Sequence, residues 1–190
     1  MAHLRRRRIV VVLAVGMSTA AARAQSDAPV RTPPTEYEVK AAFLYHFARY
    51  VEWPADGLPP GGDSFVVTVL GDDPFGPALD AALQGKTIRD RRLVVRRVTR
   101  PEDVGDSQIL FIGDSASEDL PRILHRIEAS PILTVGEAPH FAERGGMIRF
   151  DKDRDRVGFE INVGSAERAR LRISSQLLKL ARIVGAGKRS

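Results

Sequence analysis

The alternation of apolar and polar positions predicts a long helix at the start of the folded part of the chain. Residues 35–51 begin with Thr35-x-x-Glu38, which is a capping-box sequence. Apolar side chains then recur at the spacing of one helix face; they are Val39, Phe43, Phe47 and Val51, with Leu44 and Tyr50 widening the stripe. The pattern predicts an amphipathic helix of about four turns. It must end before Trp53-Pro54, because a proline disfavours helical backbone in the preceding residue.

Short apolar runs alternate with helical segments over the rest of the chain. We expect strands at 64–70, 93–98, 108–112 and 131–135, and helices at 77–83 and 118–128. Residues 147–150 and 157–161 flank a polar turn, which predicts an antiparallel hairpin. A short helix from about residue 166 and a second helix over 175–184 should close the chain. The pattern predicts a layered α/β fold, with a partly parallel sheet of about six strands, flanking helices and an antiparallel hairpin at one edge.

The first residues have the order of an export signal. A basic cluster at Arg5–Arg8 precedes the apolar stretch Ile9–Met17 and the small-x-small sequence Ala22-Arg23-Ala24. The apolar stretch is shorter than the ~20 residues that span a bilayer, although a retained N-terminal anchor is the alternative. We predict a signal peptide at 1–24 cleaved after Ala24, a flexible leader at 25–34, one domain at 35–185 and a tail at 186–190. The expected location is the bacterial periplasm.

Removal of this signal changes the charge of the chain. The full sequence has net charge +5, with 29 basic and 24 acidic residues. Five of the arginines and none of the acidic residues lie in 1–24, so the mature chain has 24 basic and 24 acidic residues. A neutral chain gives no reason to expect a nucleic-acid partner. The sequence has no cysteine, which excludes disulfides, thiol catalysis and thiol redox switching.

Three sequence patterns suggest catalytic or metal chemistry, and each departs from its motif. Gly85-Lys86-Thr87 lacks the earlier glycine of a phosphate-binding loop and follows a predicted helix. Asp151-x-Asp153-x-Asp155 has the spacing of a calcium loop, but Arg156 and Asn162 occupy its glycine and glutamate positions. Gly71-Asp72-Asp73-Pro74 follows a strand, where α/β folds bind ligands, yet these are also common turn residues. We therefore predict no catalytic centre, metal site or cofactor.

The segment 43–53 is more aromatic than one helix face requires. Tyr45, Tyr50 and Trp53 are not explained by the inner stripe. Exposed Tyr and Trp side chains near Arg49 would resemble a protein-interface hot spot. The alternative is a helix that is buried on two sides.

Several segments, taken together and in this order, resemble the YfiR-like family of periplasmic proteins. The matching segments are Glu38–Pro54, Ile109–Ile112, Leu133–Gly136, Gly145–Ile148, Arg156–Asn162 and Leu171–Ala181. The resemblance implies a single α/β domain that is often a homodimer. It also implies a repressor that binds the periplasmic portion of an inner-membrane diguanylate cyclase and thereby lowers cyclic-di-GMP and biofilm formation. In the type member, an outer-membrane lipoprotein relieves the repression, and cysteines contribute redox control that this chain lacks.

We therefore expect a periplasmic regulatory binding protein and not an enzyme. Its expected partner is an inner-membrane signalling protein, with an outer-membrane lipoprotein and a second copy of the chain as further partners. The alternative is a small-molecule sensor or carrier that binds its ligand near Asp72–Phe75 and Gly113–Ser115. The candidate binding residues are polar or aromatic motif residues that packing does not explain: Tyr45, Arg49, Trp53, Glu160, Asn162, Arg172 and Lys179.

Overall fold

A computed structural model describes residues 33–58, 61–128, 130–153 and 156–185. The predicted signal peptide, most of the predicted leader and the predicted tail lie outside these residues. The helices are α1 (Glu36–Tyr50), α2 (Pro77–Leu83), α3 (Leu120–Arg126), α4 (Val163–Arg168) and α5 (Ser175–Leu178). The strands are β1 (Val51–Glu52), β2 (Ser64–Leu70), β3 (Thr87–Ile88), β4 (Arg91–Val98), β5 (Ile109–Ile112), β6 (Leu133–Gly136), β7 (Ile148–Asp153), β8 (Arg156–Asn162), β9 (Arg172–Ile173) and β10 (Arg182–Val184).

Eight of the described strands form one mostly parallel sheet in the order β10-β8-β7-β6-β5-β2-β4-β3. The pairs β2–β4, β2–β5, β5–β6, β6–β7 and β8–β10 are parallel, whereas β3–β4 and β7–β8 are antiparallel. The predicted α/β class and the predicted hairpin are therefore confirmed. The hairpin lies beside one end of the sheet, and β10 covers its outer strand and forms the edge. A separate antiparallel ladder joins β1 to β9.

The sheet has a helical layer on each face. On β5, Ile109 and Phe111 belong to the larger core cluster, which includes residues of α1 and α2. Leu110 and Ile112 belong to the second cluster, which includes residues of α3. Alternate side chains of a strand point to opposite faces, so α1 and α2 cover one face and α3 covers the other. Among the described residues, no helix has the length and apolar character needed to cross a membrane.

Helix α1 begins and ends where the sequence predicts. The Thr35 hydroxyl accepts a hydrogen bond from the Glu38 amide at 3.3 Å, and the Glu38 carboxylate accepts one from the Thr35 amide at 2.6 Å. The buried positions are Lys40, Ala41, Leu44, Phe47 and Ala48. The buried face is thus rotated from the predicted stripe, and Val39 and Phe43 are only half-buried.

The predicted helix over 175–184 is wrong. Helix α5 ends after Leu178, and Arg182–Val184 form β10, which pairs in parallel with β8. Leu180, which the helical pattern places on an inner face, is 70% exposed. Pairing with the sheet stabilises the extended backbone at 182–184, and this long-range interaction overrides the local helical pattern.

Candidate protein-binding surface

The edge predicted for a small-molecule ligand is filled by the chain itself. The chain order places β4 and β5 on opposite sides of β2, so the crevice for a ligand would lie between the carboxyl ends of β2 and β5. There the Asp72 amide donates to the Ser115 hydroxyl at 2.9 Å. A Cβ atom on Gly113 would lie 2.4 Å from the Asp72 carbonyl oxygen. The two loops therefore pack directly against each other.

Both carboxylate oxygens of Asp73 have hydrogen-bond partners within the protein. One of its carboxylate oxygens accepts from the Phe75 amide at 2.8 Å, and the other accepts from Arg97 at 2.7 Å. Within the described part of the chain, no group of three or more His, Cys, Asp or Glu residues could hold a metal ion.

Six of the seven predicted site residues fall into two groups, and the seventh, Trp53, is buried in the core. Tyr45 and Arg49 lie on α1, Arg172 lies on β9, and Lys179 follows α5; α1 leads directly into β1, whose Glu52 pairs with Arg172. Glu160 and Asn162 lie on β8. Phe159 of the same strand packs against Phe43 and Phe47 of α1, so the side chains of Glu160 and Asn162 point to the opposite face. The seven residues do not form one site.

The first group and the side chains around a groove between α1 and α5 are mostly aromatic, apolar or cationic. We call this set the α1–α5 surface, and it consists of Phe43, Tyr45, His46, Arg49, Tyr50, Arg172, Gln176, Leu177, Lys179 and Leu180. Tyr45 is half-buried, with Lys86 Nζ 4.2 Å and Arg49 Cζ 5.8 Å from its ring centroid. Each such cation–π contact contributes about 0.5–1 kcal/mol at an exposed site, so the cations hold the ring in place.

An apolar groove of about 240 Å³ lies at the centre of the α1–α5 surface. Its walls are Phe43, His46 and Tyr50 of α1 and Gln176, Leu177 and Leu180 of the α5 region. The His46 and Tyr50 rings stack at 6.2 Å. The Ser174 amide donates to the Tyr50 carbonyl at 2.9 Å, which joins the two sides. The groove can therefore receive one apolar side chain of a partner.

Trp53 lies in the core. Its side chain is 5% exposed, and its ring meets that of Phe65 edge to face at 5.0 Å. Of the two readings of the aromatic segment, burial applies to Trp53, while Tyr45 and Tyr50 are half-buried at the surface. Trp53 continues the alternation of β1, in which Val51 is buried and Glu52 is exposed.

Glu160 joins three strands through ion pairs. It is 3% exposed, and its carboxylate lies 3.1 Å from Arg149 Nη1 on β7 and in contact with Arg182 on β10. The two arginines differ in environment, because the Arg149 side chain is 20% exposed and the Arg182 side chain is 62% exposed. This arrangement gives Glu160 a structural role at the sheet edge.

Asn162 joins three segments through its side chain. Its Oδ1 accepts from the Ser165 amide at 3.0 Å and caps α4, and its Nδ2 donates to the Ala142 carbonyl at 2.8 Å. The backbone of Gly185 approaches closely, since a Cβ atom there would lie 2.6 Å from Asn162 Nδ2. Its position is explained by these contacts.

The Asn162→Ala substitution should lower the free energy of unfolding by about 2 kcal/mol, because it removes a helix cap and leaves the Ala142 carbonyl without its donor. The measurement is urea denaturation followed by circular dichroism. Ser174→Ala is the matched control, since Ser174 only caps α5 and its loss should cost about 1 kcal/mol. Equal effects of the two substitutions would contradict the second role of Asn162.

The sequence did not reveal a buried charge cluster on the inner side of α1. Lys40 is 4% exposed, with its Nζ 2.5 Å from Glu36 Oε1 and 3.1 Å from Glu137 Oε2. Lys152 contacts the other oxygen of Glu36 at 2.7 Å, and the Tyr37 hydroxyl donates to Glu137 at 3.4 Å. Glu137 directly follows β6, so the cluster joins α1 to the carboxyl edge of the sheet. Only its (i, i+4) pair Glu36–Lys40 can be read from local spacing.

The environment shifts the pKa values of this cluster in different directions. Hydrogen bonds from Lys152 and Lys40 lower the pKa of Glu36. Burial raises the pKa of Glu137, and the nearby Lys40 only partly opposes that effect. Burial acts to lower the pKa of Lys40, but the two carboxylates outweigh it, so the pKa of Lys40 is raised. Lys40 is therefore held as a cation inside the protein.

The fold is an α/β domain whose α1–α5 surface combines an apolar groove with exposed cationic side chains. A family model described as YfiR/HmsC-like matches residues 37–182, so the chain belongs to the YfiR/HmsC-like family. This finding confirms the resemblance seen in the sequence motifs. The family comprises periplasmic regulators rather than enzymes.

Two solved structures are similar to this chain at low sequence identity, and the first of them shares its fold. A conserved domain protein from Vibrio cholerae is 12% identical, with a TM-score of 0.52 over 80% of this chain and 61% of that chain. The ABC domain from Streptococcus pneumonia in complex with L-Trp is 11% identical, with a TM-score of 0.47 over 63% of this chain and 55% of that chain. The present chain therefore spans less than two thirds of either structure. No curated protein matches the sequence.

Proposed function

We propose that this protein is a periplasmic regulator that represses or modulates an inner-membrane signalling enzyme of the diguanylate cyclase type through protein–protein contact. Membership of the YfiR/HmsC-like family supports the regulatory role. The observation that carries the proposed mode of action is the α1–α5 surface, with its apolar groove and its ring-bound cations. The chain has no cysteine, so the input that controls it is not thiol oxidation.

The composition of the α1–α5 surface fits a protein partner. Phe43, Tyr45 and Tyr50 are half-buried, so their rings lose little conformational freedom when a partner binds. Arg49, Arg172 and Lys179 are exposed, and none of them has an ion pair with a carboxylate among the described residues. Tyrosine and arginine are among the residues that dominate binding energy at protein interfaces. The surface is therefore suited to a partner segment that combines an apolar side chain with carboxylates.

The small-molecule alternative has less support at its predicted place. The loops at 71–75 and 113–117 contact each other through the Asp72–Ser115 hydrogen bond. A ligand at that edge would have to displace Ser115. A protein partner on the α1–α5 surface requires no such rearrangement.

Leu180→Asp and Arg49→Glu should each weaken binding to the partner at least tenfold, because one puts a carboxylate in the groove and the other reverses a cation beside Tyr45. The experiment measures binding of purified variants to the periplasmic portions of the source bacterium's diguanylate cyclases. Intracellular cyclic-di-GMP is measured in cells that carry each variant.

Arg122→Glu is the matched control, since Arg122 is an exposed arginine on α3, across the sheet. It should leave both binding and cyclic-di-GMP unchanged. If the wild type binds a cyclase and all three variants bind it with the same affinity as the wild type, the α1–α5 surface has no role in binding. If no cyclase binds the wild type, the proposed target is wrong.

A further inference from the structure

Strand β4 has an outer edge that the described chain pairs only at its beginning. On one side β4 pairs with β2 from Arg92 to Val98. On the other side β3 pairs only with Arg91 and Arg92. An unpaired strand edge presents backbone donors and acceptors to which another strand can bind.

The backbone groups at this edge follow from the ladder. The Arg92 amide donates to Asp63 and the Val98 carbonyl accepts from Gly71, so both face β2. Because successive residues of a strand face opposite edges, Leu93, Val95 and Arg97 face outwards. The Leu93 amide donates to the Lys86 carbonyl at 3.2 Å. The amides and carbonyls of Val95 and Arg97 have no hydrogen-bond partner among the described residues.

An apolar depression of about 380 Å³ lies along this edge on the α2 face of the sheet. Leu93 and Val95 of β4 form one side of it, and Ala81 and Leu83 of α2 contribute to the other. The charge of Arg97, which lies on the same face of β4, is neutralised by ion pairs with Asp73 and Asp80. It therefore does not prevent apolar side chains from entering the depression. Apolar side chains of an added strand would enter this depression.

The opposite face of the same edge is basic. Arg92, Val94 and Arg96 alternate with the residues that face α2, and Val94 is 42% exposed. Arg92 is exposed, and Arg96 donates to the Val104 carbonyl at 3.0 Å. Neither arginine has an ion pair with a carboxylate among the described residues. Carboxylates on the second face of an added strand would meet these two cations.

We propose that the outer edge of β4 binds an extended segment of a partner protein in which apolar and acidic side chains alternate. Backbone hydrogen bonds to Val95 and Arg97 supply affinity, and the two unlike faces select the sequence pattern. A second copy of this chain fits poorly, because edge-to-edge pairing of two β4 strands would bring their arginines together. The proposal goes beyond the function proposed above and does not depend on the α1–α5 surface.

The test uses the full chain and a short synthetic peptide in which glutamate and valine alternate. Titration calorimetry should show binding, and hydrogen exchange should show that the peptide protects the Val95 and Arg97 amides. A peptide of the same sequence with every backbone amide N-methylated should not bind, since neither of its edges can complete the ladder. A lysine–valine peptide should not bind because of charge.

Arg92→Glu/Arg96→Glu should weaken binding of the glutamate–valine peptide at least tenfold, while Leu180→Asp should not change it. Circular dichroism is the check that the double variant is folded. Absence of binding by the wild type, equal binding of the N-methylated peptide, or protection elsewhere would overturn the proposal. Each of these results would leave the cyclase-binding test unaffected, because that test depends on another surface.

Discussion

Replacing Lys40 by methionine should lower the free energy of unfolding by about 3–5 kcal/mol at neutral pH, even though methionine fits the buried position. The loss arises because Glu137 remains in a mostly buried site without its cation; its side chain is 19% exposed and 3.1 Å from Lys40 Nζ. Removing one member of a buried ion pair costs more than the net contribution of the pair itself. The measurement is chemical denaturation of the wild type and the variant at several pH values.

The pH dependence distinguishes loss of charge compensation from loss of packing. Burial already raises the pKa of Glu137 in the folded protein, and removal of Lys40 should raise it further. When the pKa of a carboxyl group is higher in the folded state than in the unfolded state, the group contributes to the free energy of unfolding at pH values below its unfolded pKa. That contribution is lost as the pH rises through the folded pKa. The difference in the free energy of unfolding between the wild type and Lys40→Met should therefore be small near pH 4 and grow towards pH 7.

Lys40→Met/Glu137→Gln is the control for this interpretation. The double variant leaves no buried carboxylate at residue 137, so it should be more stable than Lys40→Met at pH 7 and lose the added pH dependence. Glu36 retains Lys152 as a partner. A stability difference that is the same at every pH, or no recovery in the double variant, would show that the cost is one of packing.

Those parts of the fold that depend on local patterns could be predicted from the sequence. The predicted bounds 64–70 and 77–83 coincide with β2 and α2, because a buried β-branched run and a proline-initiated helix each carry a local signal. The capping box at Thr35 is also local, since both of its hydrogen bonds lie within four residues. The antiparallel hairpin was visible for the same reason.

Features that depend on distant partners could not be predicted. Leu177, Leu180 and Ala181 have helical spacing, yet the chain becomes extended at Arg182 because β8 offers an edge. Lys40 lies on the buried face of α1 because Glu137, which is far away in the sequence, pairs with it. Short sequence motifs contain no information about such pairings.

The candidate site could be predicted only in part, because the partners of some of its residues are distant in the sequence. Tyr45 and Arg49 are neighbours on α1, and the β1–β9 ladder joins the end of α1 to the strand that carries Arg172; that these residues and Lys179 form one binding site stays a prediction. Glu160 and Asn162 appeared unexplained by packing, since their partners Arg149, Arg182 and Ala142 are distant or lie across a ladder. Unexplained polar residues in a motif thus include structural ion pairs as well as binding groups.

Glu160→Gln should lower the free energy of unfolding by about 3 kcal/mol, since it removes the only carboxylate that the described chain places within 3.5 Å of Arg149. Arg182→Ala removes the other partner of Glu160, but its side chain is 62% exposed. Solvent screens that contact, so Arg182→Ala should cost about 1 kcal/mol or less. Chemical denaturation at neutral pH measures both effects.

The comparison also tests whether Glu160 keeps β10 on the sheet. Both substitutions remove the Glu160–Arg182 contact, so both should increase hydrogen exchange at the amides of β10 that face β8, the strand with which this edge strand pairs among the described strands. Only Glu160→Gln should also lower global stability, because it leaves the half-buried Arg149 with the longer and more exposed contact to Asp151, at 3.7 Å, as its remaining ion pair. Adding Arg149→Met should restore part of that loss. Equal costs for Glu160→Gln and Arg182→Ala would mean that the edge contact, and not the Arg149 pair, is what Glu160 contributes.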